Sequence, residues 1–89
     1  MAWRVSVLGR VQGVGFRWYC QRAASACGVQ GWVRNEQDGS VQLFVQGEES
    51  QAMAFLQRVK KGPPGSCVDE CRVEVVEDSP TAVAFQILR

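Results

Sequence analysis

One stretch does most to decide how this chain can fold: Gly9-Arg10-Val11-Gln12-Gly13-Val14-Gly15-Phe16-Arg17. Before it, Trp3 to Leu8 alternates with period two, Trp3, Val5 and Val7 on one face, as a half-buried strand does. After it, Phe16, Cys20, Ala23 or Ala24, and Cys27 fall at helical spacing and form an apolar stripe. The stretch is therefore a strand-to-helix turn, rich in glycine and closed by an arginine. Such a turn aims several backbone N–H groups at one spot beside a helix N-terminus. Orphan amides and the helix dipole both favour negative charge there. Arg17 sharpens the reading, because a cation in the first helical turn opposes the dipole at a cost of about 0.3–1 kcal/mol. A bound dianion reverses that sign, since a guanidinium grips two of its oxygens at once. The turn is neither a Walker A loop nor a dinucleotide fingerprint. No Lys-Ser or Lys-Thr follows the glycines, and the third glycine of G-x-G-x-x-G falls on Trp18. Glycine spacing alone fits a tight turn with a solvated Arg17 equally well.

The rest of the chain alternates in the same way. Met1 and Ala2 are expected to be loose, with a first strand from about Trp3 to Gly9 and a first helix from about Phe16 to Ala26, capped by Gly28. After Gly31 come Trp32, Val33, Arg34 and Asn35 as a second strand, then Glu36-Gln37-Asp38-Gly39 as a hairpin turn. Ser40 to Gln46 is the third strand, with Val41, Leu43 and Val45 on one side. A second helix runs from about Ser50, its expected N-cap, to Lys61, burying Ala52, Phe55, Leu56 and Val59. Gly62-Pro63-Pro64-Gly65 stops it. Strands from about Val68 to Glu77 and from about Val83 to Leu88 follow, the last with Val83, Phe85 and Ile87 on one face.

The order βαββαβ plus an extra C-terminal strand predicts an α+β fold of ferredoxin-like type. It is a two-layer α/β sandwich with both helices on one face of a mostly antiparallel sheet. One domain spans residues 1–89, because 89 residues with 46% hydrophobic content supply a single modest core.

Composition narrows the chemistry. The net charge is +1, weaker than a nucleic-acid or anionic-membrane binder carries. An RNA-recognition sheet needs basic and aromatic residues on a central strand, and the third strand offers only Phe44. No secretory leader and no apolar run near 18 residues is visible, so a cytosolic protein with reduced thiols is expected. Of the four cysteines, Cys20 and Cys27 stand about 10.5 Å apart along a helix, too far for a bridge, and Cys67 and Cys71 about 13 Å apart along a strand. Bridges between the two pairs remain open. No C-x2-C spacing marks a zinc site or a copper-chaperone loop. The four read best as small packed thiols.

Two pieces together resemble one family. Gly9 to Arg17 is similar to the signature loop of the acylphosphatases, and Gly31-Trp32-Val33-Arg34-Asn35-Glu36-Gln37-Asp38-Gly39 to their second motif. The spacing between them, the total length and the Lys61-Gly62-Pro63-Pro64-Gly65 segment fit as well. Cys20, Cys27, Ser66 and Cys71 depart from the family's usual residues, all outside the two motifs. The resemblance implies hydrolysis of the carboxyl–phosphate bond of acyl phosphates, with neither metal nor other cofactor and no phosphoenzyme. It implies that Arg17 holds the phosphate, that the loop Arg10, Val11, Gln12, Gly13, Val14, Gly15 and Phe16 cradles phosphate oxygens with backbone amides, and that Asn35 positions the attacking water. Inorganic phosphate is then product and competitive ligand, and a monomer suffices.

The chemistry is coherent with the composition. The chain has no histidine, which removes Ser-His and Cys-His nucleophile systems. A hydrolase here needs a substrate that reacts without strong acid–base help. An acyl phosphate qualifies, because its leaving carboxylate has a parent pKa of about 4–5 and departs unprotonated. Arg34, Arg22 and Arg4 read as surface charges, Asp38 as a turn residue and Glu36 as its solvated neighbour. The main rival from another class is a non-catalytic anion-binding module, or the likeness of a domain from a larger enzyme.

Overall fold

The computed structural model describes residues 1–89. Its elements are β1 (Ala2–Arg10), α1 (Phe16–Cys27), β2 (Gln30–Asn35), β3 (Val41–Gln46), α2 (Glu49–Lys61), β4 (Cys67–Val76) and β5 (Phe85–Ile87). The five strands form one sheet in the order β4-β1-β3-β2-β5. All pairs are antiparallel except β2 with β5. The expected ferredoxin-like sandwich is the observed one. The crossovers place α1 and α2 side by side on one face, where both feed one core.

Period-two alternation chooses that face. Val5 sits opposite Leu43 and Val73, and Val7 opposite Val41 and Cys71. Val5, Val7, Val33, Val41, Leu43 and Val45 are fully buried beneath Phe16, Cys20 and Ala24 of α1 and Ala52, Phe55 and Val59 of α2. Gly31 is needed inside β2 because the neighbouring backbone comes too close: an added Cβ would lie 1.8 Å from the Phe44 carbonyl oxygen.

The short β5 is anchored by one ring. Phe85 packs on Phe55 with centroids 5.5 Å apart. Burying a phenylalanine in such a contact contributes about 3–5 kcal/mol, judged by its replacement with alanine. That contact fixes where residues 87–89 lie.

Several local expectations shift. Ala2 is not loose but buried between Gln46 and Val76. β2 starts at Gln30, because Gly31 pairs with both Val45 and Phe85. The N-cap of α2 is Glu48, whose carbonyl accepts from the Ala52 N–H, rather than Ser50. β5 is three residues long, and Val83 lies outside it, 78% exposed. On β4, Val73 and Val75 share the core-facing side but stay exposed, since α2 barely reaches this edge strand. Arg4 and Arg34 are half-buried rather than free surface charges. Both guanidinium groups lie over Trp32, at 5.2 and 4.9 Å, and Arg34 pairs with Glu36 at 2.7 Å.

All four cysteines are free thiols. Burial in the α1 stripe pushes the Cys20 thiol up to about 12, so it stays protonated and unreactive at neutral pH. Cys67 is exposed. An aromatic disulfide reagent at pH 8 is expected to titrate Cys67 in the native protein and Cys20 only after denaturant is added. Fast native labelling of Cys20, read by peptide mass, would show that α1 opens.

Candidate active site

Two glycines shape the loop between β1 and α1. Gly13 and Gly15 both have φ of +75°, with open space where a Cβ would stand. Backbone conformation, not crowding, asks for glycine here. Gly15 is also the N-cap of α1 and offers no side chain to its first turn. The N–H groups of Val11 to Gly15 donate to no acceptor within the protein, and the first-turn amides of Phe16 to Trp18 precede the first intrahelical bond. The sequence thus builds an unsatisfied donor set at the positive end of a helix.

The loop is braced from one side by its own glutamine. Gln12 Nε2 donates to the Glu36 carbonyl at 2.8 Å and to the Ser40 carbonyl at 2.9 Å. These carbonyls flank the β2–β3 hairpin immediately after Asn35. The hairpin is itself tightened by Asp38, whose carboxylate accepts from the Ser40 N–H at 2.9 Å and the Ser40 hydroxyl at 2.6 Å. Those bonds hold the Asp38 carboxyl below its usual range. One side chain therefore sets the spacing between the loop and the strand end that carries Asn35. Gln12→Leu is expected to cost about 1–3 kcal/mol, the sum of two such hydrogen bonds. Turnover should fall about tenfold as the two halves of the site loosen. A thermal melt and a rate measured on the same sample check both.

The two halves meet in a pocket of about 270 Å³. Of the residues expected at the site, Arg17, Asn35, Val11, Gly13, Gly15 and Phe16 line it. Arg10, Gln12 and Val14 do not. Arg10 ends β1 opposite Cys67, Gln12 turns to the hairpin, and Val14 faces the opposite side of the loop. Arg17 Nη1 donates to the Leu88 carbonyl at 3.2 Å. The Asn35 Oδ1 atom is sealed in the wall and has no hydrogen-bond partner in the protein.

Trp18, Ile87 and Arg89 also line the pocket, and sequence reasoning did not name them for this role. Trp18 follows directly from the helical position next to Arg17. Ile87 and Arg89 arrive only because β5 pairs in parallel with β2, where the Leu88 N–H donates to Val33 at 2.8 Å. No local pattern encodes that neighbour.

Fold and pocket together define a two-layer α/β sandwich with a cationic cavity at the start of its first helix. Relatives place it more narrowly. The acylphosphatase family pattern matches residues 3–87. An acylphosphatase of Oceanobacillus iheyensis is 55% identical over 85 residues, covering 94% of this chain and 93% of that one. The crystal structure of acylphosphatase from Bacillus subtilis superposes with a TM-score of 0.95 at 36% identity, over 99% of this chain and 98% of that one. Full-length HypF, in its phosphate- and nucleotide-bound form, contains a similar unit: TM-score 0.86, 32% identity, 99% of this chain but 12% of HypF. The chain belongs to the acylphosphatase family and is a hydrolase.

Proposed function

We propose that this protein hydrolyses acyl phosphates to a carboxylate and inorganic phosphate by direct attack of water on phosphorus. The observation that carries the reading is that Arg17 and Asn35 line one pocket, beside a loop of unsatisfied amides. Arg17 and the amides of the Val11–Phe16 loop hold the phosphoryl oxygens and stabilise charge as the P–O bond stretches, in the manner of an oxyanion site. The Leu88 carbonyl keeps the guanidinium aimed. The amide group of Asn35 Nδ2, which has no acceptor in the protein, donates to the water and orients the nucleophile without taking its proton.

The balance is simple. Water oxygen bonds to phosphorus, the bond from phosphorus to the acyl oxygen breaks, and the carboxylate leaves with that electron pair. The proton of water passes to a phosphate oxygen. The transition state is loose, so positioning and charge stabilisation supply most of the catalysis. Neither a metal nor a protein general base has a step to perform.

Benzoyl phosphate tests this, its hydrolysis followed by loss of ultraviolet absorbance. Turnover is expected, with inorganic phosphate competing and a chelator leaving the rate unchanged. Binding without turnover would favour an anion-binding module, and a large loss with chelator would refute the metal-free scheme.

A further inference from the structure

Across Gly15 and Trp18 from the phosphate pocket, the surface opens into a second concavity of about 840 Å³. It lies against α1 and reaches the C-terminal end of α2. Gly15 and Trp18 line both cavities, so the two share a wall. Arg22, Arg58 and Lys61 border the groove, and no carboxylate does. None of the three makes an ion pair. In a chain of net charge +1, this is a strong local excess of one sign. A cleft of that kind concentrates anions.

The wall shared with the pocket is aromatic. The Trp18 side chain is 60% exposed, with the Arg22 guanidinium 4.9 Å from its ring centroid. Tyr19 also lines the groove, its hydroxyl donating to the Arg58 carbonyl at 2.8 Å, which ties α1 to the end of α2.

We propose that this groove is a subsite for the acyl part of the substrate and favours acyl phosphates that carry a second anionic group on it. The proposal rests on reading the adjoining pocket as the phosphoryl site. In-line displacement sets the leaving carboxylate opposite the attacking water. With water held at Asn35, the acyl chain leaves the pocket by a wall that Asn35 does not form, and Gly15 and Trp18 are where pocket and groove join. An acyl chain crossing there lies along the indole, and a distal carboxylate or phosphate reaches the cations beyond. Arginine suits that task because it pairs with anions through a fixed fork while stacking on an aromatic ring.

Calorimetry with benzylphosphonate and 4-carboxybenzylphosphonate reads the subsite without turnover. The carboxylated ligand is expected to bind about three- to tenfold tighter, the sum of one or two exposed charge contacts. In 0.5 M sodium chloride the gap should narrow, because screening acts on these exposed groups. In the Arg58→Gln/Lys61→Gln double variant the ratio should close to within about twofold. Arg22→Gln, on α1, should lower the ratio by itself and serves if the double variant folds poorly. Equal affinities in the parent protein, no binding of either phosphonate, or a ratio unmoved by these variants overturns the proposal. Lack of benzoyl phosphate hydrolysis, by contrast, defeats the activity assignment and leaves this comparison standing.

Discussion

Arg17→Ala is expected to lose at least about 10³-fold in kcat/KM for benzoyl phosphate while melting within a few degrees of the parent chain. The loss follows from what the guanidinium faces. It is the one charged side chain reaching the pocket from the N-terminal turn of α1, where the amides alone hold a dianion less firmly. The small effect on stability follows from two opposing terms. Removing a cation from the first helical turn relieves about 0.3–1 kcal/mol. Losing the hydrogen bond to Leu88 costs about 0.5–1.5 kcal/mol. Inhibition by inorganic phosphate should weaken alongside activity. Arg17→Lys should recover little, because an ammonium cannot grip two oxygens and reach Leu88 at the same time. An alanine variant that keeps phosphate inhibition while losing turnover would move the phosphate anchor to the loop amides alone.

Asn35→Ala should separate binding from chemistry. Turnover is expected to fall about 10²–10³-fold, the usual effect of deleting one preorganised polar group, with the phosphate inhibition constant changed less than about threefold. Stability offers an independent check. A buried acceptor without a partner costs about 1–3 kcal/mol, and alanine removes it. The variant should therefore melt no lower than the parent. Asn35→Asp should be as slow as alanine or slower, because a carboxylate beside a phosphoryl dianion repels it. Loss of phosphate inhibition in Asn35→Ala, with single-turnover chemistry intact, would sink the water-positioning role.

The sequence made the order of elements legible because two periods recur cleanly: Val41, Leu43 and Val45 at two, Phe55, Leu56 and Val59 at helical spacing. Arg17 was legible as a candidate from its place at a glycine-rich turn into a helix, whereas Asn35, which turn chemistry alone would explain, stood out only through the resemblance of its run to the acylphosphatase motif. What stayed hidden depends on distant partners. The bulge between Leu8 and Gly9 reflects pairing with β4, and an added Cβ at Gly9 would lie 2.1 Å from the Cys67 carbonyl oxygen. Exposure of Val73 and Val75 reflects how far α2 extends, which alternation does not encode. Gln12 looked like one more amide donor. Its side chain found two carbonyls across the molecule.

The parallel strand β5 carries a consequence for when the protein becomes competent. Ile87, Leu88 and Arg89 wall the pocket or steady Arg17, yet they are joined to β2 only across most of the chain. A polypeptide still emerging from the ribosome can zip the first four strands and both helices before those residues appear. Its cavity is then open on one flank and its arginine untethered. Synthesis makes β5 after the other four strands and both helices, so its pairing with β2 comes after theirs. Competence is therefore withheld until the last strand docks.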